Sequence, residues 1–124
     1  MGSMKSAVLL AALVSASAAA AVPAARHNRL VKAEPAVDTT VAKSPAQIRL
    51  WFKEPVEPSV SSIKLADLAG KTVSLGDTKA TDDRTSIAAQ VPTPLEAGAY
   101  TVTWKTAGRD GHVIRGSFGF TVRP

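Results

Sequence analysis

The chain has no cysteine, and its only two methionines, Met1 and Met4, stand at the very start. Without cysteine no disulfide can staple a small exported domain, so apolar packing, or a bound metal, must hold the fold. Neither thiolate nor thioether is present beyond residue 4, which removes the soft ligands a Cu(I) site is built from. Histidine is scarce as well: His27 and His112 are the only two. Aromatic residues make up 5% of the chain, and no basic cluster is interleaved with them as a nucleic-acid surface requires, so no nucleic-acid partner is expected. A Gly-x-Ser-x-Gly elbow, a His-Glu-x-x-His helix and a glycine-rich phosphate loop are all missing. Two carboxylate pairs remain for acid–base work, Glu54/Glu57 and Asp82-Asp83. Both sit in polar loops beside Lys53, Lys79 or Arg84 and read as solvated loop charge.

The first quarter of the chain reads as a leader. Met1-Gly2-Ser3 resembles a cloning remnant ahead of a native start at Met4. Residues 4–25 carry the parts of a cleavable signal peptide: Lys5 as the positive start, an apolar stretch from Ala7 to Leu13, then small residues down to Ala24-Ala25. The apolar run is short and rich in alanine, which argues against a membrane span and for secretion. Residues 27–124 then form one domain, enough for a single core. The formal charge of the chain is +5, from basic residues scattered along it as alternating strands would scatter them on a solvated face.

From residue 29 onward the pattern is short alternating strands. Ile48, Leu50 and Phe52 alternate with Arg49 and Trp51, and Tyr100, Val102 and Trp104 alternate with Thr101 and Thr103. Further strands are predicted near Leu30, over Val60–Leu65, over Thr72–Leu75, over Thr85–Val91 and over Val113–Val122. The prolines of Glu54-Pro55-Val56-Glu57-Pro58 and Pro92-Thr93-Pro94 break the run, and Ala69-Gly70-Lys71 reads as a tight turn. Lys79 to Arg84 reads as a loop, Asp38-Thr39-Thr40 as a turn, and Gly116 as a bulge or close approach. About seven strands and no amphipathic helix after the leader give an all-β Greek-key sandwich or barrel. Its core is expected from Leu30, Ile48, Leu50, Phe52, Ile63, Leu65, Val73, Ile87, Leu95, Tyr100, Val102, Trp104, Phe118, Phe120 and Val122.

Asp110-Gly111-His112 is the stretch richest in chemistry. In extended backbone the two side chains would point to one face and could converge on one ion, with Gly111 easing the approach. Carboxylate, imidazole and no thiol suit Cu(II) first and Zn(II) second. Asp-Gly is equally a common hairpin turn with a solvated histidine behind it. Asp38, near the first strand, is a further outer-ligand candidate beside its turn reading.

These segments, taken in order, resemble the CopC-type periplasmic copper-resistance proteins. The resemblance rests on His27-Asn28-Arg29-Leu30 through Pro35 and on Ile48-Arg49-Leu50-Trp51-Phe52-Lys53-Glu54-Pro55-Val56. It continues through Gly98-Ala99-Tyr100-Thr101-Val102-Thr103-Trp104 and Asp110-Gly111-His112, then Gly116 and Phe120-Thr121-Val122. It implies a Greek-key barrel of immunoglobulin-like type and a non-enzymatic Cu(II) protein. The implied ligands are His27 (amine and imidazole, when it is the first residue), Asp110 and His112. The lack of methionine in the matching region implies a Cu(II)-only member. The implied partners are the copper ion itself and a membrane copper transporter or another periplasmic copper protein, with the chain expected as a monomer. Asn28 stands where alanine is usual, and Arg26 would occupy the cleavage position if His27 were first. Cleavage after Ala24 or Ala25 suits signal peptidase better and leaves His27 third or second. Two other classes compete: an immunoglobulin-like adhesion module with incidental histidines, and a copper redox enzyme with an N-terminal histidine.

Overall fold

A computed structural model describes residues 28–124, besides the isolated Gly2. The leader and His27 lie outside the described residues. Nine strands follow in order: β1 (Leu30–Glu34), β2 (Thr39–Val41), β3 (Gln47–Phe52), β4 (Ser62–Asp67), β5 (Thr72–Val73), β6 (Lys79–Ala80), β7 (Ser86–Gln90), β8 (Gly98–Ala107) and β9 (Val113–Val122). They form two sheets, one ordered β1-β3-β7-β6 and the other β2-β9-β8-β4-β5. The described residues contain no helix long and apolar enough to cross a membrane. The all-β sandwich expected from the alternation is the observed architecture.

Alternation places the core. On β3 every second residue, Ile48, Leu50 and Phe52, is buried, and on β8 Tyr100, Val102, Trp104 and Thr106 are. The two inner faces meet where Phe52 sets its ring edge-on to Trp104, with centroids 5.1 Å apart and planes at 70°. Tyr100 stacks on Phe120, its register partner, at 5.6 Å. Leu30, Val73 and Leu95 pack against this core only partly buried, whereas Ala33, Val56, Ala89 and Ala107 are buried in it.

Several local expectations change. Val60 belongs not to a strand but to a 3-10 turn, Pro58–Val60, and is 51% exposed. Thr39 and Thr40, read as turn, belong with Val41 to β2, which pairs parallel with β9, and Lys79–Ala80, read as loop, pairs with β7. The turn is Val37–Asp38, one residue earlier than read, and Asp38 takes a positive φ of 55° and donates its N–H to the Gly119 carbonyl at 2.8 Å. The Gly70 turn is as expected, with φ 83° and its N–H on the Asp67 carbonyl at 2.9 Å.

On the outer face of the first sheet two cations lie over the Trp51 ring, Lys32 Nζ and Arg49 Cζ, each 4.5 Å from its centroid. Arg49 also reaches Asp82 at 3.0 Å and Ser86 Oγ at 3.1 Å, while Thr81 and Ser86 share a short hydroxyl contact. Asp83 accepts from the Thr85 hydroxyl and N–H, which together hold its carboxyl below the usual range. Asp82-Asp83 is therefore a structural network and not an acid–base pair.

Candidate metal centre

The strands β8 and β9 are joined by residues 108–112, and this hairpin carries the candidate ligands. Gly111 donates its N–H to the Gly108 carbonyl at 3.0 Å, closing a β-turn, and takes a φ of 77°. That left-handed conformation costs an L-residue roughly 1–2 kcal/mol, which glycine avoids. Asp110 then folds over the turn. Its Oδ1 accepts the His112 backbone N–H at 3.0 Å, and its Oδ2 lies 2.8 Å from His112 Nδ1. The two side chains are together, as expected, but for a different reason. They precede β9, and a turn with an Asx-type bond joins them, not strand alternation. The hairpin reading of Asp-Gly and the convergence of carboxylate and imidazole both hold.

The pair is open to solvent, with side-chain exposures of 58% for Asp110 and 71% for His112. The bond from the His112 ring, and next the bond from its backbone N–H, hold the Asp110 carboxyl below the usual carboxylate range. An ionised Asp110 at Nδ1 favours the proton on that nitrogen and the lone pair on Nε2, the arrangement by which carboxylates orient metal-binding imidazoles.

One cleft of about 220 Å³ opens beside the pair, lined by Asn28, Glu54, Pro55, Gly108, Arg109, Asp110, His112 and Ile114. Its second wall comes from the far end of the sequence. Asn28 clamps the main chain of Glu54, donating from Nδ2 to the carbonyl at 3.2 Å and accepting the Glu54 N–H on Oδ1 at 2.8 Å. Lys53 N–H donates to the Arg29 carbonyl at 2.9 Å, continuing the attachment into β1. The other side of the 54–61 segment is tied down by Glu57 N–H on the Ala107 carbonyl at 3.0 Å and by Ser61 Oγ, 2.6 Å from buried Thr106. Residue 28 is thus held at the cleft that Asp110 and His112 line.

Among the described residues no group of three His, Cys, Asp or Glu stands ready to hold a metal ion. Of the three expected ligands, Asp110 and His112 are brought together, and His27 lies outside the described residues. Asp38 is no outer ligand: it contacts Gly119, far along β9 from the hairpin. Glu54 serves through its main chain. The role of Asn28 was not read from the sequence, since its only signal is adjacency to His27.

A family model, the CopC domain, matches residues 30–123. The chain belongs to the CopC family. Copper resistance protein C of Xanthomonas campestris pv. juglandis is 30% identical over 94% of this chain and 91% of its own length. Copper transport protein CutJ of Bacillus subtilis (strain 168) is 28% identical over 77% of this chain, a match covering 18% of that longer protein. Among solved structures, CopC from Methylosinus trichosporium OB3b superposes with a TM-score of 0.73 at 36% identity, covering 79% of this chain and 95% of that one. PcoC from Escherichia coli, described as a methionine-rich copper resistance protein, gives 0.72 at 30% identity, covering 78% and 99%. Unlike a methionine-rich protein, this CopC-family chain has no methionine after Met4.

Proposed function

We propose that the protein is an exported copper-resistance protein that binds Cu(II) at the β8–β9 hairpin, sequestering it or passing it to a partner. The observation that carries the reading is the direct Asp110–His112 pair on a cleft whose opposite wall is Asn28, the neighbour of His27. Carboxylate oxygen and imidazole nitrogen suit Cu(II), and the affinity order of divalent ions favours copper over zinc, nickel and cobalt at such donors. On copper binding the Asp110–Nδ1 contact opens, so that His112 and Asp110 both hold the ion from the hairpin side, and His27 closes the site from the chain start. Where processing leaves His27 first, its amine joins the imidazole. Where it leaves His27 second or third, the amine and intervening deprotonated amides join instead, and binding releases more protons. Copper here is cargo. The partner receiving it is a membrane copper transporter or another periplasmic copper protein, and the domain acts as a monomer without catalysis.

Residues 4–25 as a cleaved signal peptide and residues 27–124 as the copper-binding domain complete the proposal. The adhesion reading has no observation of its own, and the copper cleft is too small and too poor in aromatic residues to offer a flat substrate face. Titration of the exported protein with Cu(II) should reach saturation at one ion per chain, and His112→Ala should lose most of the affinity. A non-saturating titration, or an unchanged site in His112→Ala, would reject the assignment.

A further inference from the structure

The outer face of the five-stranded sheet has a charge pattern that the copper site does not use. Its outward positions near the hairpin are Ser62 and Lys64 on β4, Thr101, Thr103 and Lys105 on β8, and Arg115 and Ser117 on β9. Lys105 stands directly opposite Arg115 in the ladder, and Lys64, paired with Thr103, lies diagonal to Lys105. Like charges facing each other across a ladder are destabilising. No strand of this sheet offers an outward carboxylate to relieve them: Asp67 ends β4 on the inward side, opposite buried Tyr100. The acids at its margins are Asp110, which is engaged with His112 in the hairpin, and Glu57, beside Val60. On the opposite sheet the cations are treated differently, since Lys32 pairs with Glu34 and Arg49 with Asp82. None of the ion pairs among the described residues involves Lys64, Lys105 or Arg115.

We propose that this face docks on an anionic phospholipid bilayer. The surface is a plane of antiparallel strands with small hydroxyl side chains between the cations, and it lacks the buried aromatic anchors that dominate protein–protein interfaces. Each Lys or Arg within a Debye length of an anionic membrane adds attraction on the order of 1 kcal/mol. At the hairpin end Val60 and Val113 are 51% and 54% exposed and flank a shallow groove beside Arg109, so an apolar edge adjoins the basic plane. Docking in this orientation sets the 108–112 hairpin at the membrane margin. The inference is independent of copper binding.

Cosedimentation of the full chain with phosphatidylcholine vesicles, with and without about one part in three phosphatidylglycerol, tests it. The leader is common to every variant, so the reading is the difference between them. Lys105→Glu with Arg115→Glu should lower partitioning onto the anionic vesicles by at least about tenfold, and about 1 M salt should abolish the difference. Lys32→Glu with Lys79→Glu, an equal change in net charge on the other sheet, should lower it much less. The milder Lys105→Gln with Arg115→Gln should fall in between, and covers the case in which the double reversal does not fold. Equal loss in both double reversals would overturn the proposal. So would a wild type that shows no preference for the anionic vesicles, which would instead favour an acidic protein as the occupant. The Cu(II) titration of the Lys105→Glu, Arg115→Glu protein should match wild type, which separates this test from that of the copper site.

Discussion

Gly116 lies where the Trp104 indole leaves no room for a Cβ. It pairs with Trp104, and a Cβ at residue 116 would fall 2.7 Å from Cε2 and 3.0 Å from Nε1 of the indole. Real Cβ atoms do not approach so closely, and Trp104 is itself wedged against Phe52. Gly116→Ala should therefore destabilise by roughly 1–3 kcal/mol, the usual cost of overpacking, read as a lower urea midpoint. An unchanged midpoint would mean the indole has a second position. Tyr100 makes a separate case. Its hydroxyl donates to the Glu96 carbonyl at 2.7 Å, in the manner of the tyrosine corner of immunoglobulin-type sandwiches. Burial first, then the charges of Glu96 and Asp67, raise its pKa above the ordinary value. A raised value means the neutral phenol is the form the fold favours. Its contribution is complete below the unfolded value, near 10, and is lost as pH rises through the folded one. Because Tyr100 is the only tyrosine, absorbance of the phenolate reads it alone. The midpoint is expected above that of a free tyrosine, coincident with loss of near-ultraviolet ellipticity. A midpoint at the ordinary value with the fold intact would contradict this.

At the scale of elements the β8–β9 hairpin decides the site. Asp110 and His112 were legible as a pair, because few side chains bind metals and two stand two residues apart. The means of pairing was not legible, since Asp-Gly-His fits both an extended strand and a turn, and only the position of the Ala107–Val113 closing pair separates them. Gly111→Ala places a Cβ at a φ of 77° and should cost about 1–2 kcal/mol, with a weaker Cu(II) affinity if the loop opens to relieve it. Stability and affinity both unchanged would show that the turn is not what holds the pair. Asn28 was invisible for a physical reason: it bonds main-chain atoms of a residue 26 positions away, which imposes no pattern on either segment. The short strands were lost similarly. Three residues of β2 and two of β6 give alternation no length to act on, whereas the ten residues of β9 were read at their observed bounds, Val113–Val122.

For the whole molecule, the sandwich follows from period-two burial on β3, β4, β8 and β9, and that pattern was open to reading before any coordinates. The sheet memberships were not, because which strands share a sheet depends on long-range pairing such as the parallel β2–β9 contact. What the fold accomplishes is to bring the first strand, through Asn28 and Glu54, to the loop that lies more than 80 residues later, at Asp110 and His112. Pulsed electron paramagnetic resonance of the exported protein loaded with one equivalent of Cu(II) tests this directly. Nitrogen couplings from two imidazoles are expected in wild type, and from one in either His27→Ala or His112→Ala. A single imidazole coupling in the wild type that persists unchanged in His112→Ala, or none in the wild type, would contradict a copper site built across the two ends of the domain.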